Sequence, residues 1–82
     1  MEYQRGLVVK SKAGHDKGTF LTVIEVKGNC LLLSDGKRRS LLKPKLKRMI
    51  HVAPSTYVLK DLELTTDKKI REALKNFTNN NA

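Results

Sequence analysis

The residue pattern predicts a mainly β fold, a small barrel of about five short strands followed by one C-terminal α-helix. Three observations carry that reading. Up to about Val52, short apolar runs alternate with turn residues. Beyond Ala53-Pro54 the spacing changes, and Ile70, Ala73, Leu74 and Phe77 recur at helical intervals. The 82 residues, 39% of them hydrophobic, supply one core and leave no room for a second. The division expected is a strand-rich unit over 1–53 and a linker, helix and polar tail over 54–82.

Each element has its own justification. Leu7, Val8 and Val9 form the first run, and the turn-rich stretch Ala13 to Gly18 ends it. Phe20 to Val26 is dense in β-branched and apolar residues, as strands prefer. Lys27-Gly28-Asn29 reads as a tight hairpin turn leading into the run Cys30 to Leu33. Asp35-Gly36 is a second turn signal, after which Lys37 to Leu42 is expected to return as a strand. Pro44 lacks an N–H and ends it. Leu46 to Val52 reads as the last strand, with Leu46, Ile50 and Val52 on one face at period two. Closing such strands into a barrel protects edges that a flat sheet would expose. In the C-terminal part, Tyr57, Val58, Leu59, Leu62 and Leu64 are apolar enough to pack back on the strands. Thr66 or Asp67 can cap the helix, and Asn79-Asn80-Asn81 reads as a frayed tail.

Charge points to function. The net charge is +9, and it is unevenly placed. Residues 1–53 hold twelve cations against four acids, whereas residues 54–82 hold five against four. A basic unit with a nearly neutral appendage is expected to meet a polyanion. The densest stretch runs from Lys37 to Arg48 and contains Lys37, Arg38, Arg39, Lys43, Lys45, Lys47 and Arg48 with no acid among them. Seven cations in twelve residues repel one another unless they reach solvent or an anion, so they are expected on one accessible side. Solubility alone is served as well by interspersed signs. The arginines can fork onto phosphate, and the lysines act as point charges.

A second candidate site is the loop framed by Gly14 and Gly18, with Lys12 and Lys17 as phosphate contacts and His15 along it. Glycine there frees backbone N–H groups to face a ligand. The spacing is not that of a nucleotide-binding P-loop. Only four aromatic residues occur, Tyr3, Phe20, Tyr57 and Phe77, and none interleaves with the basic run. A stacking platform for single-stranded bases is therefore not expected, and recognition of backbone and shape in a structured RNA is.

Catalysis, cofactors and metals are not expected. One cysteine, Cys30, makes no intrachain disulfide and is read as a buried structural thiol. His15, His51 and Cys30 lack the spacing of a zinc site, and acids are too sparse for a carboxylate pair. Met1 to Arg5 lacks the apolar run of a secretory signal, and no segment reaches membrane-spanning length. A cytoplasmic protein is the expectation, with no membrane and no small-molecule substrate as partner.

The stretch Gly6-Leu7-Val8-Val9 through Gly14-His15-Asp16-Lys17-Gly18 and on to Val23 and Val26 resembles the KOW motif. That motif pairs two strands around a loop ending in Lys-Gly, and it occurs on SH3-like barrels in large-subunit ribosomal proteins and in transcription elongation factors. Asp35-Gly36, Arg38-Arg39 and the segment Lys43 to Arg48 are similar to small KOW proteins related to an archaeal and eukaryotic large-subunit ribosomal protein. The resemblance covers roughly residues 5–53. It implies an SH3-like barrel that contacts ribosomal RNA, with ribosomal proteins as further neighbours. KOW barrels that bind proteins or serve transcription keep a protein-interaction or DNA-associated module as the alternative.

Overall fold

The apolar runs become five antiparallel strands in the computed structural model, which describes residues 2–81. The strands are β1 (Leu7–Ser11), β2 (Phe20–Lys27), β3 (Cys30–Ser34), β4 (Lys45–Arg48) and β5 (Val52–Val58). Short 3-10 turns occupy Met49–His51 and Asp61–Leu64, and one helix, α1, spans Asp67–Asn81. Spatial order is β4-β3-β2-β1-β5, every pair antiparallel. The β2–β3 hairpin turns at Gly28-Asn29, where Gly28 alone takes a positive φ of 61°.

Both faces of the central strands are covered over Leu7–Val9 and Leu21–Val23, where every residue is buried and all but Thr22 are apolar. The registers Val9↔Leu21 and Val23↔Leu33 put these residues on one face. With Leu7, Leu31 and Val52 they form the first of two buried clusters, where the chain length reads as room for a single core; Tyr3 and Met49 also pack against it. Val8, paired with Thr22, points the other way and meets Leu59, Leu64 and the helix residues Ile70, Ala73, Leu74 and Phe77. The i, i+3, i+4, i+7 stripe of α1 is therefore docked on the sheet. Each large apolar side chain buried there contributes about 1.5–3 kcal/mol.

The connection between β4 and β5 fixes the shape of the sheet. These are its two outermost strands, yet only Met49–His51 separate them. Outer strands of a flat five-stranded sheet lie about 19 Å apart. A 3-10 turn rises about 2 Å per residue, so Arg48 and Val52 are joined over only about 8 Å. The sheet must curl strongly. The turn is held at both sides, by Met49 N–H on the Asn29 carbonyl (3.0 Å) and Lys12 N–H on the His51 carbonyl (2.9 Å). No ladder joins β4 to β5 among the described residues, so the sheet is open where the sequence reads as a closed barrel.

Several other elements differ from their sequence reading. Lys37 to Leu42 is a loop and not a strand, because the Asp35 carboxylate accepts the N–H groups of both Lys37 (2.8 Å) and Arg39 (3.0 Å). The Asp35 N–H and the Ser34 hydroxyl donate to the Arg39 carbonyl, which closes the loop on itself. The expected strand Leu46 to Val52 is cut by the 3-10 turn, so Val52 is buried while Leu46 and Ile50 are exposed. β5 runs through Pro54 and across the 53/54 division, which an edge strand tolerates because its outer N–H positions need no partner. α1 continues through Asn79–Asn81 where a frayed tail is expected.

Gly36 seats the helix against this loop. Its φ is 74°, and a Cβ there would overlap the Asp67 carbonyl oxygen and lie 2.9 Å from Arg71 Cγ. Two hydrogen bonds seal the contact, from Leu41 N–H to Asp67 Oδ1 (2.8 Å) and from Arg71 Nη1 to the Gly36 carbonyl (2.8 Å). Gly36→Ala is expected to cost about 2 kcal/mol or more. For a domain of this size that lowers Tm by roughly 8 °C or more, measured by thermal circular dichroism; an unchanged Tm would show that the helix does not need this close approach.

Candidate nucleic-acid interface

The two basic segments singled out in the sequence are adjacent in space, and two of their own cations join them. Lys47 lies on the core-side phase of β4, opposite Leu31. Its aliphatic stem is buried, and its Nζ donates to the Ala13 carbonyl at 2.7 Å. Arg39 Nη2 lies 3.4 Å from Asp16 Oδ2, whose side chain is only 7% exposed. The loop from Lys12 to Thr19 is thus clamped at Ala13 and Asp16 by residues of the 37–48 segment.

The expected set of contact residues therefore divides. Lys47 is buried on the Ala13 carbonyl and Arg39 is half-buried on Asp16, so these two are engaged within the protein where the sequence reads all seven cations on one open side. Lys12, Lys17, Lys37, Arg38, Lys43 and Arg48 are exposed, and Lys45 is half-buried. None of these seven takes part in either of the two ion pairs among the described residues. The acids close by do not neutralise them: Asp16 is turned inward to Arg39, and Asp35 Oδ1 accepts two backbone N–H groups. Leu42, Leu46 and Ile50, interspersed with these cations, are exposed as well.

Part of the backbone of the 12–19 loop is turned inward: Lys17 N–H donates to Gly14, Gly18 N–H to Ser11 and Thr19 N–H to Asp16, while Thr19 Oγ1 also donates to the Asp16 carbonyl. Outward the loop offers the exposed Lys12 and Lys17. Gly14 (φ 77°) and Gly18 (φ 89°) supply turn geometry, and around Gly18 a Cβ would meet open space.

Asp16 and Asp67 were legible only in part. A lone acid between His15 and Lys17 in an otherwise basic loop is the signal for an internal ion pair. Nothing in the sequence pairs Asp67 with Leu41. Cys30 is half-buried at the start of β3, its thiol 3.6 Å from Asn29 Oδ1, and not the buried thiol its apolar run implies. His51 is exposed. No cluster of three or more His, Cys, Asp or Glu side chains suited to a metal occurs among the described residues. No helix among them is long and apolar enough to cross a membrane. No protein-family model matches the chain, and no curated protein is significantly similar to it in sequence.

The division of the lysines is directly measurable. Lys47→Met keeps the stem but removes the charged donor from the Ala13 carbonyl, leaving it the Ser11 hydroxyl (3.0 Å), at an expected cost of about 1 kcal/mol. Lys43→Met, at a fully solvated position, is expected to stay within about 0.5 kcal/mol of the parent. Urea unfolding of the two variants reads the difference, and equal midpoints would contradict the clamp.

Proposed function

We propose that this protein is a KOW-type RNA-binding module that holds the phosphate backbone of a structured RNA, with ribosomal RNA as the target class, and that it works without catalysis or a cofactor. The strongly curled sheet is, on this reading, a partly open SH3-like barrel. The observation that carries the proposal is the set of cations Lys12, Lys17, Lys37, Arg38, Lys43, Lys45 and Arg48, exposed or half-buried and in no ion pair among the described residues. Two independent segments are locked together beneath it by Lys47 and Arg39, which presents the charges as a preorganised patch. A phosphate chain neutralises such a patch and releases counterions, so binding is favourable without any base contact. Lysines and a lone arginine pair suit backbone recognition, which positions an RNA and leaves specificity to its shape.

This reading places the protein in the cytoplasm as a ribosome-associated component. A second reading, a protein-binding module, draws on exposed Leu42, Leu46 and Ile50 among the cations. It cannot use the helix stripe Ile70, Ala73, Leu74 and Phe77, which is already buried.

The triple variant Lys43→Glu/Lys45→Glu/Arg48→Glu spares the buried Lys47, so its fold is expected to persist. It should lose at least about tenfold in affinity for structured ribosomal RNA fragments at moderate salt. Fluorescence anisotropy reads the affinity and circular dichroism the fold. A folded triple variant that binds as the parent does would remove this surface from RNA binding.

A further inference from the structure

One concave feature lies beside the basic surface and is not used by it. A groove of about 690 Å³ opens between α1 and the ends of the 12–19 and 35–42 loops. Its apolar wall includes Phe20 and Leu74, and its cations are Lys37, Arg71 and Lys75. Lys37 also begins the basic run and Gly18 ends the clamped loop, so the groove and the proposed RNA surface are continuous. We propose that this groove takes one unstacked nucleotide of a bound RNA, its base against Phe20 and Leu74 and its phosphate between Lys37, Arg71 and Lys75. The proposal rests on the RNA-binding reading and gives that reading a base-contacting site.

The volume falls within the range of small-ligand sites, roughly 300–1,000 Å³, and suits one nucleotide. Charge fits as well. Asp35 and Glu72 also line the groove, leaving three cations against two acids and a net charge that matches one phosphodiester. Asp35 Oδ1 already accepts two backbone N–H groups, which spreads its charge into the loop. Arg71 donates one N–H to the Gly36 carbonyl and keeps other guanidinium donors for phosphate. Phe20 is held rigidly, with its ring 5.2 Å from that of Phe77 at 70°, edge to face. Lys10 Nζ stands over the same ring, 5.6 Å from its centroid, and helps to fix it. Rigid aromatic walls next to cations are how proteins hold bases that have left a stack.

The test is an amide-shift titration of the full chain with a short single-stranded oligoribonucleotide, with a nucleoside monophosphate and with inorganic phosphate. The oligonucleotide is expected to move the signals of Thr19, Phe20, Lys37, Lys75 and Thr78. Lys75→Glu, outside the basic run, should weaken the oligonucleotide about fivefold or more, while structured RNA held by the basic run changes by less than about twofold. Oligonucleotide shifts confined to residues 43–48, or an affinity untouched by Lys75→Glu, would overturn the groove assignment and leave the RNA-binding reading standing. The same shifts from inorganic phosphate alone would overturn the base contact. A nucleoside monophosphate that binds more tightly than the oligonucleotide would make this a free-nucleotide site. Failure of every RNA, structured or short, to bind would overturn both the groove assignment and the reading beneath it.

Discussion

Three residues carry the chain from one edge of the sheet to the other, and most of the architecture follows from that constraint. Because Met49–His51 must bridge β4 and β5, the sheet curls and closes Leu7, Val9, Leu21, Val23, Leu31, Leu33 and Val52 into one core. The same curl brings the inner face of β4 over the 12–19 loop, where Lys47 finds the Ala13 carbonyl. The opposite face of the sheet then presents Val8 and its neighbours, and α1 fills it. A chain of this size buries only about 60 to 65% of its unfolded surface, so covering both faces of the sheet matters to its stability.

The basic residues serve two purposes that composition alone does not separate. Arg39 and Lys47 spend their charge inside the protein, one on a buried carboxylate and one on a backbone carbonyl. Removing Arg39 would leave the buried Asp16 carboxylate without its cation, a cost well above that of losing a solvated lysine. Their neighbours Lys37, Arg38, Lys43 and Arg48 remain exposed and in no ion pair among the described residues. The structural cations set the geometry, and the exposed ones supply the field. α1 adds to the same arrangement by holding the 35–42 loop through Asp67 and Arg71.

Much of the fold was legible in the sequence where local pattern and tertiary context agree. β1, β2, β3, the Gly28-Asn29 turn and the apolar stripe of α1 all follow from periodicity and turn chemistry. The sequence misled where a side chain competes with the backbone. Asp35 caps its own loop and abolishes the strand expected at Lys37 to Leu42. Leu46, Ile50 and Val52 read as one face because period two assumes an unbroken strand, and the 3-10 turn breaks it. The candidate site was legible as a charge run but not as a partition, since Lys45 and Lys47 share the core-side phase of β4 and only the contact of Lys47 with the Ala13 carbonyl tells them apart. The groove was not legible at all, because Phe20, Lys37 and Lys75 are far apart in sequence.

Exposed cations that meet RNA phosphates make affinity depend steeply on salt, and that dependence is the decisive measurement. Binding of structured ribosomal RNA fragments and of matched duplex DNA would be measured across a range of salt concentrations. Neutralising about four to six phosphates gives a log–log slope of roughly −3 to −5. The expected result is a slope in that range, with the structured RNA bound more tightly than the DNA. A flat slope, or no binding even at low salt, would contradict it and leave the basic surface as solvated charge.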